Sequence, residues 1–290
     1  MTSFDNPKNL LFVITLGTGT FGSSNNNQIQ LEGFRARATI EKAGGQMLGT
    51  LHAQVYGVKQ SDMNSVTTLQ FQNQGFLRNT IEVYAIDGTQ RTLVFTGNMV
   101  NAWGNYHSMP DVFLEIQAQS LWVAKLAATP PLSFKGSVSV PTVMQQIAET
   151  MGINFENNGV SKSLLNPYLH GTAVEQAKNV AQQAGIDMYI DNGTLAICPQ
   201  GQPRGSLIPE ISPDSGLRGY PTFDGVGVNF QTFFNPSITF GGAVKLVTSI
   251  PRAAGQWVVT SINHDLAAQE PGGQWFSTVR GNASGLLVTS

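Results

Sequence analysis

The sequence predicts a mainly β protein with an α+β insert: two tandem β-barrels flanking a small α/β domain, with residues 1–130 as the first barrel, 131–205 as the insert and 206–290 as the second barrel. Three observations carry this expectation. Apolar residues alternate with period two over the first part of the chain and again from Arg204 onward, as half-buried strands require. Between those stretches the period changes to 3.6, the spacing of an amphipathic helix. The two β stretches also echo each other in their succession of strands, turns and loops.

The first barrel opens on LLFVITL and continues as one strand from Gln28 to Glu41, where Phe34, Ala36, Ala38 and Ile40 alternate with Arg35, Arg37, Thr39 and Glu41. A turn at Gly44-Gly45 leads to the strand LHAQVYGV, and a polar stretch, SDMNSV, follows it. In NTIEVYAIDGTQRTLVFTG the Asp87-Gly88 pair predicts a hairpin. The strand DVFLEIQAQ closes the block, with Val112, Leu114, Ile116 and Ala118 on one face and Glu115, Gln117 and Gln119 on the other.

The insert begins near Pro130-Pro131. Its first helix carries Val140, Val143, Met144, Ile147, Ala148 and Met151 on one face, with Pro141 in the first turn and Gly152 as the stop. The second has a capping box at Thr172 and Glu175, a stripe of Ala173, Val174, Ala177, Val180, Ala181 and Ala184, and a stop at Gly185. Each helix runs into GIN or GID and a short strand, a weak internal repeat whose second copy turns through DNG into TLAIC. In the second barrel, Val228 to Arg280 echoes Thr68 to Gln119: a strand pair, a turn, QWVVTSINHDL in place of RTLVFTGNMV, a polar loop with Pro271 in place of Pro110, and a last strand.

Composition narrows the function. The 290 residues are 41% hydrophobic, enough for a real core, but only 12% charged, about half the usual fraction for soluble domains. Plentiful neutral polar groups lower the desolvation cost of large contacts, so one reading is that much of this surface meets other subunits, and the alternative is a soluble all-β protein with an ordinary uncharged face. The net charge of −2 is spread along the chain, without the basic stripe of a nucleic-acid-binding surface. The N-terminus has no basic leader, and no apolar run approaches a membrane span. Cys198 is the single cysteine, so no internal disulfide forms, and its apolar run favours burial; the triplets at Asn192 and Asn282 read as chance matches to a glycosylation site.

Candidate chemistry is sparse. VITLGTGTFG places Gly17, Gly19 and Gly22 in GxGxxG spacing after a strand, but a dinucleotide site needs a helix starting inside that turn, and SSNNNQIQLEGF opposes one. Glu41 stands near the distance of a ribose carboxylate, yet no βαβ unit would place it, so the segment reads as a hairpin with its tip at Gly22 to Asn27. Asp214-Ser215-Gly216 resembles half of an aspartic-protease pair but has no second half and reads as a turn. His52, His107, His170 and His264 lack the neighbours a zinc site needs, and His264-Asp265, expected at a strand end, has no nucleophile motif to serve. Catalytic, cofactor-binding and metal residues are therefore all expected to be none.

The segments from VSVPTVMQQIAETMG through IDNGTLAICPQG, then GYPTFDGVGVNFQTFFNPSITFGGAVKLVTSI, then GQWVVTSINHDL and GGQWFSTVRG, resemble the tail baseplate hub family of contractile-tailed bacteriophages, which includes late-control D-type proteins and the T-even hub. VYGVKQSDMNSVTTLQF and VFTGNMVNAW are similar to its first barrel, while GTGTFGSSNNN has no counterpart placed in it. The resemblance implies a non-enzymatic homotrimer with two tube-type barrels per chain, forming a pseudo-sixfold ring. That ring would join a tail tube or tube-initiator protein to the central spike, with tape-measure and other baseplate proteins as further partners, no membrane, and genomic DNA passing without specific binding. The implied location is the virion tail baseplate, after assembly in the host cytoplasm. Two competing readings are a tail-tip cell-wall hydrolase and a carbohydrate-binding module that would need Trp103, Trp257 or Trp275 exposed as a platform.

Overall fold

The computed structural model describes residues 7–22, 26–43, 47–67, 78–107 and 109–283. The expected turn at Gly44-Gly45, the middle of the Gly22 to Asn27 tip and the start of the echo at Thr68 lie outside the described residues. The chain is mainly β with a helical insert, and it divides into two compact units. One comprises Met1–Glu41, Gly49–Val123 and Asn263–Phe276; the other comprises Lys42–Leu48, Ala124–Ile262 and Ser277–Ser290.

The elements begin with β1 (Lys8–Thr15), β2 (Gln28–Glu32), β3 (Ala36–Lys42) and β4 (Thr50–Tyr56). After the helix α1 (Gln60–Val66) come β5 (Thr80–Asp87), β6 (Gln90–Asn105), β7 (Phe113–Gln119) and the short helix α2 (Trp122–Leu126). In the first unit the hydrogen-bonded order is β3-β4-β7-β6-β5-β1-β2. Leu10, Phe12 and Ile14 of β1, Ile81 and Val83 of β5, Phe95 of β6, and Leu114 and Ile116 of β7 are all buried, so the period-two faces of these strands form the core. Leu11, Val13 and Ile86, with Tyr84, form a smaller apolar cluster of their own.

Two readings of this region are corrected. The strand expected from Gln28 to Glu41 is two strands, because Gly33 adopts φ 81° and breaks the extended run. The polar stretch SDMNSV lies in α1, where Met63 and Val66 at helical spacing are 3% and 1% exposed. The Asp87-Gly88 hairpin forms: Asp87 pairs with Gln90, and Gly88 takes φ 63° at the loop position reserved for glycine when the next residue stays at negative φ.

The second unit continues with β8 (Leu132–Ser133), β9 (Ser137–Ser139), α3 (Val140–Met151), β10 (Asn154–Asn157), β11 (Ser163–Leu165) and β12 (Tyr168–Leu169). Then follow α4 (Ala173–Ala184), β13 (Ile186–Asp191) and β14 (Thr194–Pro199). Both helices form where the apolar stripes place them. The Ser139 hydroxyl caps α3, and Gly152 closes it in the left-handed region at φ 71°. At α4 the Thr172 Oγ1 accepts from the Glu175 N–H at 3.4 Å while Glu175 Oε2 accepts from the Thr172 N–H at 2.8 Å, so both halves of the capping box are made. Lys162 Nζ donates to the carbonyls of Ala184 and Gly185 at 2.7 and 2.9 Å, placing a cation on the negative end of that helix. The helices bury Val143, Met144, Ile147, Ala177 and Val180 against Leu195 and Ile197 of β14. Asn192 and Gly193, at φ 44° and 73°, turn β13 into β14 as the hairpin dipeptide predicts.

The remaining elements are β15 (Glu210–Ile211), β16 (Leu217–Phe223), β17 (Gly227–Phe233), β18 (Ala243–Leu246), β19 (Gly255–Ala268) and β20 (Trp275–Ala283). Their order is β16-β17-β20-β19, with β18 also paired to β19 and β15 to β18. The echo between the two β stretches is therefore one of topology. β3 to β7 and β16 to β20, each five strands in chain order, are laid side by side as first, second, fifth, fourth, third, and the third in each set pairs with an earlier strand, β1 or β15.

Candidate functional surfaces

The glycine-rich segment is the connection of an antiparallel pair. β1 pairs with β2, the Leu16 N–H donates to Asn27 O at 2.8 Å, and the Phe21 N–H donates to Asn26 O at 2.8 Å. Gly17 has a packing reason: a Cβ there would lie 2.9 Å from the backbone carbon of Arg78, while its own N–H donates to Asn79 Oδ1 at 2.9 Å. Glu41 stands exposed in β3. Among the described residues no helix lies between β1 and β2, and the first helix in the chain is α1.

The other chemically suggestive residues are also scattered. His52 Nε2 lies 2.9 Å from Glu115 Oε1 across β4 and β7, His107 is exposed, and His170 stacks on Tyr168. His264-Asp265 is not at a strand end, because the ladder carries β19 on to Ala268; His264 is buried, and Asp265 Oδ1 accepts from Thr39 Oγ1 at 3.1 Å. Among the described residues, no three of the His, Cys, Asp and Glu side chains gather as a metal centre. Asp214-Ser215-Gly216 falls in and after a 3-10 turn, Pro213–Ser215, capped by Ser212. Cys198 is fully buried, and burial, reinforced by the Asp187 carboxylate, pushes its thiol up to about 12, far from a nucleophilic thiolate. Trp275 is buried, Trp103 is half-buried, and half-buried Trp257 donates its indole N–H to Ala253 O at 2.8 Å.

Two charge clusters escaped the sequence because their members are far apart along the chain. In the first unit a cleft of about 370 Å³ is lined by Arg37, Thr39, Asp265, Glu270 and Gln274. Arg37 Nε donates to Glu270 Oε2 at 2.7 Å, its Nη2 pairs with Oε1, and this guanidinium holds the Glu270 carboxyl below its usual range. In the second unit Lys42 and Asp191 are each 8% exposed, with Nζ 2.6 Å from Oδ1. Arg204 extends the network, its Nη1 3.6 Å from Asp191 Oδ2 and its Nη2 2.7 Å from Glu156 Oε2, which lowers the Glu156 pKa. A carboxylate held this way by a guanidinium is a structural anion rather than a proton donor.

Exposed apolar side chains are the more informative feature. In the second unit Tyr220 and Phe223 of β16 are 75% and 51% exposed, and Val226 follows in the turn to β17. In the first, Tyr106 and Met109 stand out in the loop after β6. Single exposed apolar side chains are ordinary, whereas a contiguous apolar patch is the kind of surface on which proteins bind one another.

Known proteins agree on the architecture. The family model described as baseplate hub gp41 matches residues 21–279. Comparison with curated proteins returns no significant sequence match. Among solved structures, the chain is similar to the 43 kDa tail protein of prophage MuSo2 from Shewanella oneidensis, with a TM-score of 0.62 and 10% identity over 94% of this chain and 96% of that one. It is similar to a tail protein from Neisseria meningitidis MC58, with a TM-score of 0.64 and 9% identity over 94% of this chain and 97% of that one. A third similarity is to the E. coli c3393 protein, a type VI secretion component described as structurally similar to the T4 tail proteins gp27 and gp5; the TM-score is 0.56 and identity 9%, over 86% of this chain and 73% of that one.

Proposed function

We propose, from the premise that this chain belongs to the baseplate hub gp41 family, that it is a non-enzymatic hub subunit, three copies of which form a pseudo-sixfold ring joining a sixfold tail tube to a threefold central spike. The observation that carries the reading is the repeated strand order, β3-β4-β7-β6-β5 and β16-β17-β20-β19-β18, within one polypeptide. A threefold assembly of chains with two like blocks offers six like surfaces, which is what a sixfold neighbour needs on one side and a threefold neighbour on the other. In this reading residues 1–130 and 206–290 are the tube-type barrels and 131–205 projects from the ring toward other baseplate or tape-measure proteins.

Sheet edges running from subunit to subunit would bury strand backbone that otherwise invites aggregation. The 12% charged content and net charge of −2 suit both roles of such a ring: neutral polar surface is cheap to desolvate at subunit contacts, and a wall without a basic stripe would let DNA pass unretained. The ring would sit in the tail baseplate of the virion. Mass measurement on the full chain, alone and mixed with its tube and spike proteins, tests this. Three copies per assembly are expected, and a chain that stays monomeric under every one of these conditions refutes it.

A further inference from the structure

We propose that β16 of one copy packs, head to tail, against the end of β6 and the loop after it, Trp103–His107, of a second copy; this deepens the trimeric-ring reading and rests on it. The two five-strand sets make the assignment. In the first unit, β3 is the first strand of its set, and its edge away from β4 is covered by the late part of β19, the fourth strand of the other set. Side chains seal that junction: Thr39 donates to Asp265, and Arg37 pairs with Glu270 in the loop after β19.

β16 is the counterpart of β3, seven residues long like it and paired on one side to a seven-residue second strand. Its other edge ends the hydrogen-bonded series, with no described strand beside it. The exposures match this vacancy. At the same positions along the two strands, Thr39 is half-buried and Lys42 is 8% exposed in β3, whereas Tyr220 and Phe223 of the uncovered β16 are 75% and 51% exposed. Pro221, with no N–H to donate, is a residue for an edge, and the register shift between Arg218 and Thr222 makes that edge irregular. The contact is therefore mainly side-chain packing by Tyr220 and Phe223.

The surface that β16 would meet follows from what β3 meets. The counterpart of β19 is β6, which likewise pairs with the third strand through its first half, Gln90–Asn98, and with the fifth through its second, Asn98–Asn105. Among the described strands, none lies beside Trp103–Asn105 on the edge away from β7. Tyr106 and Met109, 42% and 76% exposed, follow the strand end, in the place where Glu270 follows β19. Among the described strands β16 and β6 of the same chain are not neighbours, and the partner assigned to both is a second copy. The contact is heterologous, and a ring closes when six blocks, three chains, have been joined.

The test uses two full-length single variants, Tyr220→Cys and Tyr106→Cys, with buried Cys198 left in place. Under mild oxidation each alone should give no cross-link, and their mixture should give a disulfide-linked pair. In parallel, Tyr220→Lys should weaken self-association at least about tenfold, as loss of a central aromatic does. A cross-link in Tyr220→Cys alone would mean a two-fold contact and overturns the assignment. A trimer that persists in Tyr220→Lys, with no cross-link in the mixture, overturns this edge but leaves the ring standing. A chain that is monomeric at high micromolar concentration and with its tail partners overturns both.

Discussion

Replacing Asp191 with Leu orphans a buried lysine. Lys42 and Asp191 are each 8% exposed and 2.6 Å apart, so at an effective dielectric of about 20 their direct attraction is ~6 kcal/mol. Most of that is cancelled by the desolvation both ions suffered on burial, which makes the net value of the pair small and the cost of orphaning one member large. Among the described residues, Asp191→Leu leaves Lys42 Nζ with Asn192 Oδ1 at 3.4 Å and also strips Arg204 Nη1 of its carboxylate, so a loss of about 3–5 kcal/mol is expected. Lys42→Met should cost less, because Asp191 keeps Arg204 at 3.6 Å. The double variant should be less damaged than the sum of the singles by about 1 kcal/mol or more. Urea unfolding of the full chain, with the midpoint multiplied by the slope, gives these differences. Singles within about 1 kcal/mol of the parent, or a double equal to their sum, would refute the claim that the pair is buried and coupled.

Other outcomes follow from local geometry. Gly97→Ala would place a Cβ 2.7 Å from the Gln119 carbonyl oxygen, where β6 crosses to β7, so a loss of about 1–3 kcal/mol is expected in thermal unfolding. A thiol pushed up to about 12 and fully buried should leave Cys198 unreactive to iodoacetamide at pH 8 in the native chain and reactive once urea unfolds it. Glu156 is held below its ordinary pKa by Arg204 in the folded state. Its stabilisation should be fully present above the unfolded carboxylate range, near about 4.3, and should fade as pH falls through the lower folded value. Acid-unfolding curves of Glu156→Gln should accordingly lose part of the parent's steepness below pH ~4.

Short-range information was enough to predict much of this protein. The stripes on α3 and α4, the capping box at Thr172 and the Asp87-Gly88 and Asn192-Gly193 hairpins all depend on neighbours within about one turn or one loop, which the sequence displays directly. The same locality explains the misses. Alternation continues through Gly33, so only the backbone shows that β2 and β3 are separate, and two apolar residues in SDMNSV were too few to reveal α1. The continuation of β19 past His264 is fixed by its partner strands.

What the sequence determined by itself was class and echo: strands, then two helices, then strands again, with little charge. What tertiary structure decided was which edges are covered. Strand order, the junction of Arg37 with Glu270 and the meeting of Lys42, Asp191, Arg204 and Glu156 all join residues distant along the chain. A sheet edge is defined by the strand lying next to it, and residue spacing along one strand carries no record of that neighbour.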